Sequence, residues 1–168
     1  LTGTYTVIVG SNRGANYANS DPYAGSGGYR LTLVTAPGTL SITAGDEGGA
    51  MTNGATHTGT ISVGDIDPWS FTANQGEAIV LSLGRTSPTA NLQPWLRLVS
   101  PSGTIIGENF DPSANDYSAA QLQVSAPSTG TYTVIVGSNR GANYAYYDPY
   151  GGSGDYRLTL VTAPGTLS

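Results

Sequence analysis

The end of this chain repeats its beginning, and this feature constrains its architecture more than any other. Residues 130–168 repeat residues 3–41 at a constant offset of 127. Over the 41 positions that overlap, only five pairs differ: Leu1/Ser128, Asn19/Tyr146, Ser20/Tyr147, Ala24/Gly151 and Gly28/Asp155. Solenoid repeats have periods of about 20–50 residues, whereas 127 residues is the size of a whole domain. The sequence therefore predicts a domain repeated in tandem, with the chain opening partway through one copy.

Charge is unusually scarce in this chain. Only 10% of the residues are charged and the net charge is −5, against about 25% charged residues in ordinary domains. The six basic residues are all arginine and form no cluster, which argues against a nucleic-acid partner. No apolar run approaches the ~20 residues of a membrane-spanning helix, so we expect no membrane insertion. A surface rich in Thr, Ser, Gly, Asn and Tyr favours an extracellular or cell-surface protein.

Short stretches of alternating apolar and polar residues, separated by turn residues, dominate the sequence and indicate β-strands. One period contains about eight of them, a number suited to two packed sheets. The sequence predicts an all-β protein, an antiparallel, jelly-roll-like β-sandwich in a tandem repeat of 127 residues. The predicted strands are Thr58–Val63, Asp67–Thr72, Ala78–Leu83, Trp95–Val99, Thr104–Gly107, Ala120–Ser125, Gly130–Gly137 and Asp155–Val161.

The repeat also predicts how the chain is divided. Residues 1–35 correspond to the last two strands of a preceding repeat, residues 36–57 to a linker, and residues 58–168 to one near-complete sandwich followed by the start of the next linker. Two strands with one apolar face are not stable alone in water. Their missing neighbours come either from preceding residues or from another chain by strand donation. Both options predict assembly with copies of the same unit.

Several sequence blocks occur in the order typical of a known family. They are TGTISVGDIDPWSF at 58–71, QGEAIVLSL at 75–83, PWLRLVSPSG at 94–103, APSTGTYTVIV at 126–136 and GDYRLTL at 154–160. Together they resemble the bacterial pre-peptidase C-terminal domain, a β-sandwich of extracellular proteases and surface proteins, and the related collagen-binding domains. The resemblance implies a module without catalytic activity.

In the collagen-binding relatives, acidic residues of the linker and of the opening loop share calcium. The resemblance implies that Asp46, Glu47 and Asn53 in the linker, with Asp65 and Asp67 in the loop, are the matching positions. Calcium takes about six to eight oxygen ligands, and two aspartates at i and i+2 in an irregular turn can face one ion. The alternative is that Asp65 and Asp67 make Asx-turn hydrogen bonds and that the linker acids are solvated.

A second acidic group is a weaker candidate for calcium. Glu108, Asp111, Asn115 and Asp116 lie within the segment ENFDPSAND. The Asp-Pro and Asn-Asp pairs in this segment are also ordinary loop formers, so the group has a plain alternative as a surface loop.

Tyrosines cluster near the end of the chain, at Tyr144, Tyr146, Tyr147, Tyr150 and Tyr156. Exposed tyrosines among Gly and Asn offer rigid contact area at low entropic cost. We predict a contact or ligand surface here, either between subunits or domains or for stacking on sugars. The alternative is that part of the cluster packs over the end of the sandwich.

Few residues suited to catalysis are present. The sequence has one histidine, His57, no cysteine and no Gly-x-Ser-x-Gly elbow, and we expect no enzyme activity. The repeat, the incomplete first sandwich and the uncharged surface together predict a structural module of an extracellular filament, stalk or surface adhesin. The alternative is an accessory module of a secreted protein or hydrolase that binds carbohydrate or matrix.

Overall fold

The alternating segments of the sequence form β-strands in the structure. The computed structural model describes residues 3–9, 28–38, 40–88, 91–110, 118–139 and 152–165. None of these residues forms a helix that could span a bilayer. All eight predicted strands are confirmed, and a ninth precedes them: β1 Gly49–Ala50, β2 Thr56–Ile61, β3 Asp67–Ala73, β4 Ala78–Arg85, β5 Pro94–Val99, β6 Ile105–Phe110, β7 Ala119–Ser125, β8 Gly130–Ser138 and β9 Gly154–Ala163.

Four antiparallel pairs are nested inside one another along the chain: β2 with β9, β3 with β8, β4 with β7, and β5 with β6. The pairings of β4 with β9 and of β5 with β8 fold this long hairpin into two sheets. The sheet orders are β1-β3-β8-β5-β6 and β2-β9-β4-β7. Nested pairs wrapped into two sheets are the arrangement of a jelly roll, so the predicted all-β sandwich is confirmed, whereas its tandem repetition stays a prediction.

The core between the sheets is formed by the apolar positions that alternate along each strand. Side chains from both sheets meet there, and their spacing of two residues places each set on one face of its strand. The largest fully buried ones are Tyr132, Tyr156, Ile61, Ile79, Leu81, Leu83, Leu92, Leu96, Leu98, Leu158, Leu160 and Val134. In β4, β5, β8 and β9 the apolar residues of the alternating pattern are those that the structure buries.

The predicted linker is partly built into the sandwich. Within it, β1 pairs in parallel with β3, matching Gly49 to Trp69, and the N–H of Met51 donates to the carbonyl of Ser70 at 2.7 Å. Gly48 has a φ of +141° and packs so close to the carbonyl oxygen of Pro68 that a Cβ would clash with it. Because of these contacts, the linker reaches β3 at a fixed place, which matters for the site described below.

The first copy of the repeated sequence is structured differently from the second. Residues 3–9 and 28–38 form no strand, although residues 130–138 and 154–163 of the second copy form β8 and β9. The assignment of residues 1–35 to a preceding repeat stays a prediction. Their lack of strand structure agrees with the argument that two such segments need neighbouring strands.

Candidate metal centre

Asp65 is held by the turn that joins β2 to β3. Its backbone N–H donates to the carbonyl of Ser62 at 3.1 Å, and its carboxylate accepts from the backbone N–H groups of Ser62 at 3.5 Å and Ile66 at 3.0 Å. These bonds anchor the Asp65 side chain locally, although neither is the bond from residue i+2 that defines an Asx turn, the predicted alternative to calcium. A carboxylate has about four acceptor positions, so the turn fixes Asp65 and leaves capacity for another ligand.

Asp46 approaches the same place from the linker. Its N–H donates to the carbonyl of Thr43 at 3.0 Å, closing a turn just before the chain joins β3 as β1. As a result, one carboxylate oxygen from each of Asp46, Asp65 and Asp67 lies within 4.8 Å of the others. The structure therefore brings together three of the five residues predicted for the first calcium site.

Asp67, at the start of β3, is the most buried member of this cluster and is fully inaccessible to solvent. Its Oδ2 accepts a hydrogen bond of 2.6 Å from the hydroxyl of Tyr156, whereas its buried Oδ1 has no hydrogen-bond partner. Burial raises the pKa of Asp67 to about 7, and the negative charges of Asp65, Glu47 and Asp46 add to this effect, opposed by the Tyr156 hydrogen bond. Asp67 is thus a buried carboxyl group with one unused oxygen.

Tyr156 fixes the orientation of Asp67 from the opposite sheet. Gly59 is its partner in the β2–β9 register, and a Cβ on that glycine would lie 2.5 Å from the phenol oxygen. The absent side chain leaves room for the ring, whose hydroxyl also accepts a hydrogen bond of 3.0 Å from Trp69 Nε1. Burial, together with the neighbouring Asp67, raises the pKa of Tyr156. Tyr156 therefore remains a hydrogen-bond donor to Asp67 at neutral pH.

Arg30 supplies the positive charge at this cluster. Its NH2 group lies 3.1 Å from Asp46 Oδ2 and 3.1 Å from Asp65 Oδ1. The guanidinium comes from the first copy of the repeat, outside the sandwich. It pairs with two of the three carboxylates, and neither of these two contacts involves Asp67.

The donor set fits a hard divalent cation such as calcium. All three side chains are carboxylates, the ligands that calcium prefers. The unpartnered Asp67 Oδ1 is an independent indication, because an isolated buried carboxylate is costly unless a cation or a proton neutralises it. The residues that would hold calcium are Asp46, Asp65 and Asp67.

The other two linker residues predicted for this site have different positions. Glu47 is close enough to raise the pKa of Asp67 by its charge, but it is not one of the three clustered carboxylates. Asn53 is engaged elsewhere, since its amide donates to the carbonyl of Thr162 and accepts from the N–H of Thr162, both at 2.9 Å. The side chain of Asn53 thus binds the backbone of β9, and its inclusion in the calcium site stays a prediction.

The second acidic group is described only at Glu108. This side chain accepts hydrogen bonds from Trp95 Nε1 at 2.9 Å and from Arg97 NH2 at 3.2 Å, and the guanidinium of Arg97 lies over the Trp95 ring. The hydrogen bond from Trp95, with further help from Arg97, lowers the pKa of Glu108. Asp111, Asn115 and Asp116 lie outside the described residues, so a cation site there stays a prediction.

The predicted tyrosine surface lies largely outside the described part of the chain, which leaves out Tyr144, Tyr146, Tyr147 and Tyr150. Tyr156 is described, and its inclusion in that surface was wrong. Its side chain is fully buried because residue 156 belongs to the inward face of β9, together with Leu158 and Leu160. The alternating pattern of β9 indicates the burial of Tyr156 correctly, whereas its closeness in sequence to the other tyrosines does not.

Two features of the site were missed by sequence reasoning. Arg30 has the same local sequence as Arg157, so nothing in the residues marks it as the partner of an acidic cluster. The Trp69–Tyr156–Asp67 hydrogen-bond chain had a signal, because Trp69 and Tyr156 occupy apolar positions of the alternating pattern in two predicted strands. A buried tyrosine and a buried tryptophan each need a polar partner. Asp67 lies two residues before Trp69 in β3 and accepts the hydrogen bond from Tyr156.

Comparisons with known proteins agree with this architecture. Residues 65–138 match the family model of the bacterial pre-peptidase C-terminal domain. Among solved structures, the chain is similar to the pre-peptidase C-terminal domain of a collagenase from Bacillus anthracis, at 17% identity and a TM-score of 0.50, over 68% of this chain and 95% of that one. It is also similar to the periplasmic g-type lysozyme inhibitor PliG of Aeromonas hydrophila, at 17% identity and a TM-score of 0.49, over 74% of this chain and 93% of that one. The comparison with curated proteins gives no match.

The match to the family model begins at Asp65 and ends in β8, so it includes Asp65 and Asp67 of the cluster. The collagenase domain, at its low identity, supports the sandwich fold alone. The resemblance predicted from the ordered sequence blocks is confirmed: residues 65–138 of the sandwich match the family model of the bacterial pre-peptidase C-terminal domain, and the fold is that of the collagenase domain.

Proposed function

We propose that this chain is a structural repeat module of an extracellular filament, stalk or surface adhesin, and that it assembles through the β-sandwiches of successive repeats. The contrast between the two copies of the repeated sequence carries this proposal. In the first copy Tyr5, Tyr29 and Leu33 are 79%, 73% and 76% exposed. Their counterparts in the second copy, Tyr132, Tyr156 and Leu160, are 0%, 0% and 1% exposed. The first copy has the side chains of two core strands and lacks a core to bury them.

The number of strands available favours tandem repeats over strand exchange between identical chains. The 168 residues contain the β8–β9 sequence twice but the sequence of β2–β7 once. Residues 130–138 and 154–163 already occupy the places beside β3, β5, β2 and β4. If the first copy took these places in another identical chain, the β8 and β9 of that chain would be released. Such an exchange would expose one strand pair for each pair that it buries. A further set of β2–β7 strands from another repeat would bury the first copy with no such loss.

The surface of the module suits a position outside the cell. Charged residues are few, and the sequence is rich in Thr, Ser, Gly, Asn and Tyr instead. The pre-peptidase C-terminal domain is an accessory module of secreted proteins, which agrees with this location. The function proposed is mechanical, because successive sandwiches joined by linkers that pair with β3 would form an extended, stiff array.

A calcium ion at Asp46, Asp65 and Asp67 would strengthen this role. Asp46 belongs to the linker, whereas Asp65 and Asp67 belong to the sandwich. An ion shared between them would tie the linker to the start of β3 and restrict the angle between neighbouring repeats. Calcium would supply charge neutralisation and oxygen coordination, and the aspartates would hold the ion.

Electron microscopy of the native material, with and without a calcium chelator, tests both parts of the proposal. We expect continuous fibres with a regular subunit repeat, and we expect the chelator to make them more flexible. Isolated globular particles at high protein concentration would contradict the structural role. Their retention on insoluble polysaccharide or collagen would instead favour the accessory binding module.

Paired substitutions in the first copy make the test specific to assembly. Leu31→Asp places a charge on the exposed apolar face of residues 29–33, and Thr32→Asp places the same charge on the other face. We expect Leu31→Asp to abolish or shorten the fibres and Thr32→Asp to have a weaker effect. Neither substitution should change the melting temperature of the folded sandwich, since both lie outside its core. Fibres of normal length from Leu31→Asp would exclude the first copy as the assembly surface.

A further inference from the structure

The acidic cluster at the linker already has a cation beside it, and that cation is part of the chain. Arg30 NH2 lies 3.1 Å from Asp46 and 3.1 Å from Asp65. The side chain of Arg30 remains 42% exposed, whereas those of Asp46 and Asp65 are 12% and 2% exposed. The guanidinium therefore approaches the cluster from the solvent side and covers two of its three carboxylates.

A divalent cation and this guanidinium would compete for the same oxygens. Asp46 Oδ2 and Asp65 Oδ1 are engaged by Arg30, while the buried Asp67 Oδ1 has no hydrogen-bond partner. The guanidinium is planar and bulky, whereas a calcium ion is a compact charge that binds carboxylate oxygens at about 2.3–2.6 Å. An ion placed among the three aspartates would neutralise Asp67 as well, and it would displace Arg30 by occupying its contacts.

We propose that Arg30 is a built-in competitor for the Asp46–Asp65–Asp67 site, and that a divalent cation, calcium in the first instance, binds there by displacing it. This inference rests on the proposed calcium site and adds an intramolecular ligand to it. The competition lowers the affinity of the site for the ion, because each binding event must first break two ion pairs.

The displacement has a consequence for assembly. Arg30 lies between Tyr29 and Leu31, in the segment of the first copy that has the sequence of β9. Arg157, its counterpart, occupies an exposed position on β9, paired in register with Thr58 and Gly84. Residues 28–35 therefore have to leave the acidic cluster if Arg30 is to take the position that Arg157 has in a complete sandwich. By linkage, calcium would favour release of this segment, and burial of the segment in a neighbouring sandwich would favour calcium binding.

Calorimetric titration of the full chain with calcium chloride tests the competition. The proteins compared are the unchanged chain, Arg30→Gln, and Arg157→Gln as the matched control at the equivalent repeat position. We expect Arg30→Gln to bind calcium roughly 3- to 30-fold more tightly than the unchanged chain, since two partly exposed ion pairs no longer compete. Arg157→Gln should bind with unchanged affinity.

The outcomes separate this inference from the calcium site itself. Equal affinities for all three proteins, or weaker binding by Arg30→Gln, would overturn the competition and leave the calcium site standing. Absence of binding in all three would overturn the calcium site and the competition together.

Hydrogen exchange of residues 28–38 gives a second readout: we expect calcium to accelerate it in the unchanged chain and to have little effect in Arg30→Gln. Slower exchange with calcium would contradict the release of the segment.

Discussion

Two regions of this molecule have almost the same sequence and different structures. Residues 130–138 and 154–163 are β8 and β9, and their apolar side chains are buried between the sheets. Residues 3–9 and 28–38 repeat these sequences and form no strand. Within these two stretches the copies differ at one position, where Gly28 corresponds to Asp155. Local propensity is therefore equal in the two copies and does not explain the contrast.

What differs is the set of neighbouring strands. In the second copy, β8 lies between β3 and β5, and β9 lies between β2 and β4. Strand formation is favourable there because both edges pair and one face is buried. The comparison shows in one chain that β-propensity measures how well a residue fits a pleated, half-buried surface.

The largest expected difference between the copies comes from removing a core side chain. Leu158→Ala deletes part of a fully buried leucine and should cost about 2–5 kcal/mol of unfolding free energy. Leu31→Ala makes the same change at an exposed residue and should cost less than about 0.5 kcal/mol in the unassembled chain. Urea denaturation followed by circular dichroism measures both. Equal losses would contradict the structural difference between the copies.

Assembly should remove this difference. If the first copy becomes buried in a neighbouring repeat, Leu31→Ala should destabilise the fibres while leaving the isolated chain unaffected. Thermal dissociation of assembled and unassembled material, compared for the two alanine variants, provides the measurement.

The acidic cluster gives the next largest effect, and it depends on pH. Folding raises the pKa of Asp67 from 3.8 to about 7, so the folded state retains a proton that the unfolded state releases. In the absence of cations, stability should therefore fall as the pH rises through this interval. Since one pKa unit is about 1.4 kcal/mol, the loss should be up to about 4 kcal/mol. In Asp67→Asn this contribution is absent, so the variant should gain stability relative to the unchanged chain as the pH rises.

Urea denaturation in the presence of a chelator, at several pH values between about 4 and 8, measures this difference. Every other titrating group is common to the two proteins, so the change in their stability difference isolates Asp67. A difference that stays constant with pH would show that Asp67 is ionised in both states. Added calcium should reverse the trend in the unchanged chain, because binding favours the ionised carboxylates.

The strands and the inward faces could be predicted from the sequence, because a period of two residues directly reports which side chains face the core. Strand β1 could not, since Gly49 and Ala50 carry no alternating pattern and pair in parallel with β3 through backbone atoms alone. The cluster was predicted only in part for a related reason. Asp65 and Asp67 are close in the chain, whereas the positions of Asp46 and Asn53 depend on where the linker joins the sandwich.

Arg30 shows the limit of sequence reasoning most clearly. It and Arg157 lie in the identical segments 29–41 and 156–168, and the one difference close by is Gly28 in place of Asp155. Pairing with Asp46 and Asp65 depends on the path of residues 28–38 outside the sandwich. No periodicity or motif encodes that path.

Tyr156 and Tyr29 occupy equivalent positions in the two copies, and substitution of Tyr156 should have an effect of intermediate size. Tyr156→Phe removes the hydroxyl that donates to Asp67 and accepts from Trp69, leaving two buried polar groups without this partner. The expected cost is about 1–3 kcal/mol, because unsatisfied buried groups lose their solvation without compensation. Tyr29→Phe, at the exposed counterpart, should be within about 0.5 kcal/mol of the unchanged chain. Urea denaturation measures the unfolding free energy of both variants. A loss of stability in Tyr29→Phe as large as in Tyr156→Phe would contradict the exposed position of Tyr29.

The smallest expected effect comes from the substitution that makes the two copies alike. Asp155→Gly makes residues 152–168 identical in sequence to residues 25–41. It removes an exposed hydrogen bond of 2.7 Å from the hydroxyl of Thr60 and places a flexible residue in β9, which together should cost about 1 kcal/mol. The reverse change, Gly28→Asp, should leave the melting temperature of the unassembled chain unchanged. If neighbouring strands decide the structure, Asp155→Gly should still form a sandwich with β9 in place, as measured by protection of its amides from hydrogen exchange. Loss of that protection would mean that Asp155 itself, rather than the neighbouring strands, distinguishes the two copies.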